Sequence, residues 1–259
     1  MGLIVSKIVT VKNVTKEYGG KRGEAFRALK GIDLEVEQGE FVGIMGPSGS
    51  GKTTLLNVIS TIDRATSGQI FIGRKDITTI KKKNLAEFRR DMIGFVFQDF
   101  NLLDNMTIRD NIALPLSLNN VKTRDILKRT KELTDLLGIT NQLDKYPYEL
   151  SGGQKQRAVI CRALITSPRI IFADEPTGAL DSRSSSEVLE CFKRVNRELE
   201  TTVIMVTHDP VAASYCNRVM FLNDGKIDGR LDSNGDKKDL FKKVLNMLAM
   251  MGGADDELL

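Results

Sequence analysis

The sequence has no long hydrophobic run and is poor in histidine and cysteine. No apolar stretch among its 259 residues approaches the ~20 residues that a transmembrane helix needs, so the pattern predicts no membrane span. The three cysteines are widely spaced, without a Cys-x-x-Cys pair, and there is one histidine. This composition argues against a metal cluster and predicts buried free thiols in a reducing compartment. Residues 1–7 lack the layout of a signal peptide, so we expect a cytoplasmic location.

The residues that are present describe an ordinary globular protein, with 41% hydrophobic and 28% charged residues. The length suits one well-cored domain with additions and is too short for two full domains. The net charge of +4 is mild, so the lysines at 81–83 and 237–238 are interpreted as solvated helix faces rather than as nucleic-acid or lipid patches. We therefore expect no nucleic-acid partner.

Short apolar runs, typical of strands, alternate with helical patterns along most of the chain. Two N-terminal runs alternate apolar and polar residues, as half-buried strands do, and later runs are continuously apolar, as buried parallel strands are. A helical insert interrupts the alternation between residues 100 and 150. This order predicts an α/β fold with a mostly parallel sheet and a helical subdomain. The predicted strands are Ile8–Val14, Asp33–Glu37, Phe41–Met45, Gln69–Ile72, Ile93–Phe97, Arg169–Ala173, Thr202–Val206 and Arg218–Leu222.

Apolar stripes at helical spacing predict the main helices. One helix covers Lys52–Ser60, and another, in the insert, ends at Gly138, a typical C-cap residue. The last helix follows a polar stretch after Gly225. We expect it to pack on its own domain, with a partner or dimer contact and a membrane surface as alternatives. The stripes consist of Ile126, Leu127, Leu133, Leu136 and Leu137 in the insert, then Val188, Leu189, Phe192, Val195 and Leu199, and finally Leu240, Phe241, Val244, Leu245 and Leu248.

A glycine-rich loop joins the predicted strand Phe41–Met45 to the helix that follows. It matches the pattern G-x-x-x-x-G-K-[ST] in the strand-to-helix context that this pattern requires. Its glycines allow the backbone to wrap phosphates, Lys52 supplies positive charge to the β- and γ-phosphates, and the Thr53 hydroxyl is placed for Mg²⁺. A glycine-rich turn with a chance lysine is the weak alternative. The expected nucleotide-binding residues here are Gly46, Pro47, Ser48, Gly49, Ser50, Gly51, Lys52, Thr53 and Thr54.

A second loop suited to an anion lies 99 positions after Lys52, at Ser151. There a serine hydroxyl and the amides of two glycines stand where a helix should begin, and a helix start attracts negative charge. The chain contains only one nucleotide-binding core, so this loop is predicted to serve a second copy of the chain. The residues concerned follow Leu150 and are Ser151, Gly152, Gly153 and Gln154.

Polar side chains follow three more predicted strands. Asp174 and Glu175 end an apolar strand, where Asp174 can hold Mg²⁺ through water and Glu175 can orient or deprotonate the attacking water. His208 follows Thr202–Val206 after one residue and can reach the γ-phosphate. Gln98 is a candidate ligand of Mg²⁺ and water, and it can also sense a partner docked on the helical insert. A solvated acidic turn, a surface histidine and a surface glutamine are the alternatives.

Two further residues have both a functional and a structural interpretation. Tyr18 can stack on a nucleobase, an interaction of about 1–3 kcal/mol by alanine substitution, or it can cover a sheet edge. Asp181 can lie at a dimer interface, or it can be a plain helix N-cap. We favour the stacking and the interface.

In their order along the chain, these motifs resemble the nucleotide-binding subunit of ATP-binding-cassette (ABC) transporters over roughly residues 8–230. That family's fold implies a P-loop NTPase core with an N-terminal antiparallel β-subdomain and a helical subdomain inserted at about 100–156, within a cassette at 1–230. An extension at 231–259, with the amphipathic helix, follows. Since no motif is degraded, both sites of a homodimer should hydrolyse ATP. The resemblance depends on Tyr18, Gly46–Thr53, Gln98, Leu150–Gln154, Asp174, Glu175, Asp181 and His208.

Four segments narrow the resemblance. Phe97–Leu103 and Ala173–Gly178 are similar to the group that includes macrolide exporters, lipoprotein-release ATPases and the cell-division ATPase, although Ala179 replaces the asparagine common there. Ala179–Ser182 and Thr207–Cys216 are similar to ATPases of bacitracin- and lantibiotic-resistance transporters of Gram-positive bacteria. We favour the second group and keep the first as the alternative.

The resistance-transporter family implies partners and cofactors. Its two ATPase copies sandwich two ATP molecules, with Ser151 and Gly153 touching the γ-phosphate bound by Lys52 of the partner subunit. They drive one integral membrane permease that removes peptide antibiotics from lipid-linked cell-wall targets, and some permeases signal to a sensor kinase. We therefore expect ATP and Mg²⁺, a second copy, a permease and, through it, a sensor kinase, with the chain peripheral on the inner face of the membrane.

Overall fold

The computed structural model describes residues 6–19 and 24–252. The chain divides into two compact units: residues 1–85 with 202–259 form the first unit, and residues 86–201 form the second. Residues 1–5, which form most of the segment on which the signal-peptide expectation depends, lie outside the described part of the chain. Within residues 6–19 and 24–252, every helix is too short or too polar to cross a membrane.

Strands and helices alternate through both units. The strands are β1 (Lys7–Tyr18), β2 (Phe26–Glu37), β3 (Phe41–Met45), β4 (Ser67–Ile72), β5 (Lys75–Asp76), β6 (Ile93–Val96), β7 (Ile170–Asp174), β8 (Thr202–Val206), β9 (Arg218–Asn223) and β10 (Lys226–Asp232). The α-helices are α1 (Lys52–Ile59), α2 (Lys82–Met92), α3 (Ile108–Ser117), α4 (Thr123–Leu136), α5 (Gly152–Leu164), α6 (Ser182–Leu199), α7 (Pro210–Ala213) and α8 (Lys237–Gly252).

Four strands of the first unit form an antiparallel sheet in the order β2-β1-β4-β5. The strand β1 lies in its interior, where Val9 pairs with Val36 on one side and with Ile72 on the other. All three of these side chains are buried, because alternation along a strand directs every second residue to the covered face. This sheet confirms the antiparallel N-terminal β-subdomain.

The second sheet of the first unit has the strand order β10-β9-β3-β8. The strand β3 pairs in parallel with both β8 and β9, whereas β10 pairs antiparallel with β9. Both β3 and β8 are buried along their whole length, as predicted for continuously apolar strands. The sequence analysis does not predict β10, because its residues alternate between exposed and half-buried positions and include Gly229, which weakens the apolar signal.

In the second unit, β6 and β7 pair in parallel, with Phe95 opposite Phe172. The helix α5 packs against β6 and against α3, α4 and α6. At Gly94 of β6 the approach is so close that a Cβ atom would lie 2.6 Å from the carbonyl oxygen of Ala163. This position therefore requires glycine, and α5 is the central helix of its unit.

The helix α4 differs from its predicted stripe at one position. Leu127 is 47% exposed, while the buried apolar residues are Ile126, Leu133 and, just after the helix, Leu137. These residues follow the three- and four-residue spacing of one helix face, and Leu127 lies about 100° from Ile126 around the axis. The expectation for Leu127 is wrong.

The C-terminal helix α8 packs against α7 and β10 of its own unit, as expected. Leu240 and Val244 are buried on that side. Leu245, which the stripe also includes, is 43% exposed because it follows Val244 by one residue and points elsewhere. The expectation for Leu245 is therefore wrong.

The three cysteines, Cys161, Cys191 and Cys216, are buried and free, as predicted. Burial raises the pKa of the Cys161 and Cys216 thiols. They stay protonated at neutral pH and serve as small apolar core side chains.

Candidate functional site

The loop between β3 and α1 has a backbone that only glycine can form at two of its positions. Gly46 has a φ of 154°, and a Cβ there would lie 1.9 Å from the carbonyl oxygen of Leu222. Gly51 has a φ of 103°, and its Cβ would lie 2.7 Å from the carbonyl oxygen of Ala28. Between them Pro47, Ser48 and Gly49 are exposed, so the loop offers its middle to solvent.

The helix α1 starts without a capping side chain. Its N-cap is Gly51, in the left-handed conformation, and its first turn contains no acidic residue. The first N–H groups of a helix have no partner within the helix, and the macrodipole places partial positive charge there. The start of α1, with Thr53 and Thr54, therefore suits a phosphate group.

Lys52 adds a full positive charge to this loop. Its Nζ atom donates hydrogen bonds to the carbonyl oxygens of Gly46, at 2.9 Å, and of Pro47, at 2.8 Å. Ser50 is buried, and its carbonyl oxygen accepts the N–H of Gly225 at 3.0 Å. The ammonium group is held over the loop by its own backbone.

His208 is exposed and is separated from the end of β8 by Thr207. Its neighbours are fixed, since the Thr207 N–H donates to the Ile44 carbonyl oxygen at 3.1 Å and Asp209 caps α7. Because β8 is parallel to β3, with Val206 opposite Ile44, both strands end at the same edge of the sheet. The first unit therefore brings His208 to the edge from which the Gly46 loop leaves.

Tyr18 ends β1 and is 41% exposed. Its hydroxyl donates a hydrogen bond to Oδ2 of Asp63 at 3.0 Å, and Nζ of Lys16 lies 4.7 Å from the centroid of its ring. The ring is thus held at its hydroxyl and approached by a cation, while part of its surface stays accessible.

Asp174 and Glu175 stand at the carboxyl end of β7, in the second unit. Glu175 has a φ of 45°, in the left-handed region where a residue other than glycine is strained, and its carbonyl oxygen accepts the Gly178 N–H at 3.0 Å. Such strain is concentrated at functional sites. The structure therefore places an acidic pair in a turn that is costly to form.

Gln98 leaves β6 at the same edge as this acidic pair, because β6 and β7 are parallel with Val96 opposite Ala173. Its side chain lies against Gly178, where a Cβ would be 3.0 Å from the Gln98 Cδ atom. Carboxylate and amide oxygens are ligands that Mg²⁺ prefers, so Asp174 and Gln98 fit that ion.

Gln156 is a buried residue that the sequence analysis does not identify. Its Nε2 atom donates to the carbonyl oxygens of Pro176, at 2.7 Å, and Phe97, at 3.2 Å. Pro176 immediately follows Glu175, and Phe97 immediately precedes Gln98. Gln156 thus ties together the two segments that carry the polar side chains, through contacts 20 and 59 residues apart that no local pattern signals.

Ser151 is the N-cap of α5 and forms a capping box with Gln154. Its Oγ atom accepts the Gln154 N–H at 3.3 Å, and the Gln154 Oε1 atom accepts the Ser151 N–H at 3.0 Å. Since Oγ is an acceptor in this arrangement, the hydroxyl hydrogen can still be donated to an incoming anion. Ser151 is exposed, so such an anion can approach from outside the chain.

The two glycines after Ser151 have a packing role. A Cβ at Gly152 would lie 2.8 Å from the Leu180 Cδ2 atom, and one at Gly153 would lie 3.1 Å from the Ser184 Cβ atom. Glycine at these positions therefore allows α6 and the residues before it to approach the start of α5.

Asp181 is the N-cap of α6. Its Oδ1 atom accepts the N–H groups of Arg183 and Ser184, each at 3.0 Å, and its Oδ2 atom accepts the Ser184 hydroxyl at 2.6 Å. The hydrogen bonds from the Ser184 hydroxyl and backbone lower the pKa of Asp181. The structure shows the capping role that the sequence offers as the alternative, and the interface role stays a prediction.

The predicted site residues fall into two groups by unit. The first unit contains Tyr18, the loop and helix start at 46–54, and His208; the second contains Gln98, the start of α5 at 151–154, Asp174, Glu175 and Asp181. Within each unit the polar groups gather at strand ends and helix starts, which is where ligands bind in α/β folds.

Comparison with known proteins identifies the family to which this chain is similar. A family model described as ABC transporter matches residues 29–178. The chain is 49% identical over 251 residues to the bacitracin export ATP-binding protein BceA of Halalkalibacterium halodurans, covering 96% of this chain and 99% of the relative. It is 46% identical over 254 residues to the ABC transporter ATP-binding protein YxdL of Bacillus subtilis, covering 98% of both chains.

Solved structures share the fold. The dimeric, post-hydrolysis structure of the ATP-binding cassette MJ0796, bound to ADP and Pi, has a TM-score of 0.79 and 40% identity, covering 88% of this chain and 100% of that one. The structure of cbiO1 from Clostridium perfringens, part of the ABC transporter complex cbiONQ, has a TM-score of 0.81 and 29% identity, covering 95% of both chains.

Proposed function

The chain belongs to the ABC transporter family, and we propose that it is the ATPase subunit of a transporter that confers resistance to peptide antibiotics. As a member of that family it binds ATP and couples ATP hydrolysis to transport. The substrate class is supported by one observation above others: 49% identity to a bacitracin export ATP-binding protein over nearly the full length of both chains.

In the proposed reaction, the phosphates of ATP bind to the loop and helix start at residues 46–54, where backbone N–H groups and Lys52 balance their charge. His208 donates a hydrogen bond to the γ-phosphate. Glu175 orients or deprotonates the attacking water. Thr53, Gln98 and Asp174 would hold Mg²⁺, whose charge would offset that of the phosphate oxygens.

The proposed active form is a dimer of two copies with ATP between them. This is supported by the start of α5, where the Ser151 hydroxyl is exposed and able to donate. It is supported also by the relative MJ0796, whose cassette was solved as a dimer. In this dimer Ser151 and the Gly153 N–H bind the γ-phosphate that Lys52 of the partner subunit holds, and Asp181 lies at the interface.

The membrane-spanning part of the transporter is proposed to be a separate permease, with this chain peripheral on the inner face of the membrane. We propose that the permease contacts the second unit at a groove of about 280 Å³. Its lining includes Met106, Leu114 and Tyr146, and the groove lies a few residues along the chain from Gln98. A sensor kinase would be reached only through the permease.

Deletion of the gene tests the substrate class. We expect the deletion strain to become more sensitive to bacitracin and to lantibiotics, and a copy of the gene to restore resistance. A copy with Glu175→Gln should be made at the same level and fail to restore it. Unchanged sensitivity to every peptide, together with altered lipoprotein sorting, macrolide sensitivity or cell shape, would contradict the resistance function and favour the alternative permease complexes.

A further inference from the structure

The ring of Tyr18 is held by two charged side chains of its own unit. Lys16 and Tyr18 are two residues apart on β1, so their side chains share a face of the strand. The Lys16 ammonium approaches the ring, with Nζ 4.7 Å from the centroid, and the tyrosine hydroxyl donates to Asp63 at 3.0 Å. Cation–π attraction and a charge-assisted hydrogen bond thus act on one side chain.

Lys16 and Asp63 also hold each other. The Lys16 Nζ atom lies 2.7 Å from the Asp63 Oδ2 atom and donates to the carbonyl oxygen of Arg64 at 2.8 Å. The other carboxylate oxygen of Asp63 accepts the Arg64 N–H at 2.7 Å. Lys16 is 9% exposed, so the ammonium under the ring is fixed in place and little screened by solvent.

Asp63 remains ionised at neutral pH. Burial acts to raise its pKa, but the hydrogen bond from Lys16, joined by those from the Arg64 N–H and the Tyr18 hydroxyl, outweighs burial and holds the pKa below its ordinary value. A charged acceptor binds the tyrosine hydroxyl more strongly than a neutral one does.

Lys16 and Asp63, which together anchor the Tyr18 ring, are connected to the phosphate loop through α1. The Asp63 N–H donates to the carbonyl oxygen of Asn57, in the last turn of α1, at 3.0 Å. The same helix begins at Lys52 and has eight residues, a rise of about 12 Å. One rigid element therefore carries the phosphate-binding start at one end and the residue that fixes Tyr18 just past the other.

We propose that Lys16 and Asp63 are positioning residues for ATP, which hold the Tyr18 ring with one face against the Lys16 ammonium and the other face open to the adenine base. The proposal rests on the proposed function, in which this chain binds ATP. Fixing the ring before ATP arrives removes the cost of ordering it on binding. The loss of either anchor should weaken ATP binding without altering the chemical step.

The test uses the purified full-length chain and two ligands, ATP and inorganic tripolyphosphate. Asp63→Asn should raise the KM for ATP about three- to tenfold, the cost of ordering one side chain, with kcat within twofold. Its inhibition by tripolyphosphate should be unchanged, because that ligand has no base. Tyr18→Phe removes only the hydroxyl and should give a smaller rise in KM. If Asp63→Asn lowers thermal stability, Tyr18→Phe is the variant that tests the proposal in its place.

A double variant shows whether Asp63 acts through the ring. Tyr18→Ala should raise the KM for ATP at least as much as Asp63→Asn, and adding Asp63→Asn to it should have no further effect. The matched control is Glu35→Gln, which removes a carboxylate of β2 that pairs with Lys7 of β1 at 2.7 Å, with both side chains more than half exposed. Glu35→Gln should change neither the KM for ATP nor the inhibition by tripolyphosphate.

The proposal would be overturned by an unchanged KM in Asp63→Asn, by equal weakening of ATP and tripolyphosphate binding, or by additive effects of Asp63→Asn and Tyr18→Ala. If Tyr18→Ala leaves the KM unchanged while the wild-type chain hydrolyses ATP, the positioning role fails and the ATPase function stands. A wild-type chain that neither binds nor hydrolyses ATP would overturn both.

Discussion

Two helices of this chain begin at loops suited to an anion, but their first turns are satisfied differently. The helix α1 starts at Gly51, which has no side chain, whereas α5 starts at Ser151, which forms a capping box with Gln154. The start of α1 therefore has no capping side chain, which suits the phosphate group that the proposed function places there. The start of α5 satisfies part of its own turn and offers a hydroxyl hydrogen to a group from outside.

Under the proposed function, this difference would explain how a chain with one nucleotide-binding core uses two anion-binding loops. In the proposed function the first loop surrounds the phosphates of ATP, since Gly46 and Gly51 force the backbone to curve and Lys52 lies over it. The second loop is the exposed start of α5 and does not curve around a ligand. A loop that wraps a phosphate binds it tightly by itself. A helix end that only touches a phosphate contributes to binding when another chain brings the phosphate to it.

The largest effect on the rate is expected at Glu175. Glu175→Gln keeps the size of the side chain but removes the base, so turnover should fall about 10²–10⁴-fold. ATP should still bind to the loop at residues 46–54 and should still hold a second copy of the chain through the start of α5. Single-turnover hydrolysis with purified protein measures the rate, and a rate equal to that of the wild type would show that another group activates the water.

A somewhat smaller effect is expected from Lys52→Ala, which removes the charge from the wrapping loop. Losing this donor should lower kcat/KM about 10²–10³-fold, and here ATP binding to the monomer should also weaken strongly. Equilibrium binding of a fluorescent ATP analogue measures this. Binding as tight as in the wild type would mean that the loop at residues 46–54 is not the one that holds the nucleotide.

The smallest effect compares two glycines in the first unit. Gly49 and Gly73 have φ values of 79° and 59°, and a Cβ at either would meet no atom within 4 Å. Gly49→Ala and Gly73→Ala should each lower the free energy of unfolding by about 1–2 kcal/mol, measured in urea. Only Gly49→Ala should also weaken ATP binding, because its methyl group occupies the space into which a phosphate must come. Equal binding by both variants would contradict this.

Much of the fold follows from local patterns in the sequence. Continuous apolar runs predict β3, β7, β8 and β9, and the motif at 46–53 identifies the turn between β3 and α1. Prediction fails where the pattern is weak or mixed. The strand β10 has one half-exposed face and contains Gly229, and Leu127 is apolar but lies off the buried face of α4.

The sequence suggests the proposed site residues but not the side chains that hold them in place. Tyr18 ends a strand, and Gln98 and Glu175 follow strands, which is a signal in the sequence. Lys16 contacts Asp63, and Gln156 contacts Phe97, in each case across more than 45 residues of sequence. Such contacts depend on how the chain folds. Periodicity cannot show them, because each of these residues is ordinary in its own segment.

The most direct test of the account combines Ser151→Arg with Glu175→Gln and measures mass by light scattering in the presence of ATP. Glu175→Gln alone should form an ATP-dependent dimer of twice the monomer mass. With Ser151→Arg added, the chain should bind ATP as tightly as before and stay monomeric, because the blocked helix end can no longer meet the phosphate on its partner. A double variant that dimerises normally, or that loses ATP binding as a monomer, would contradict the claim that the start of α5 serves the second copy.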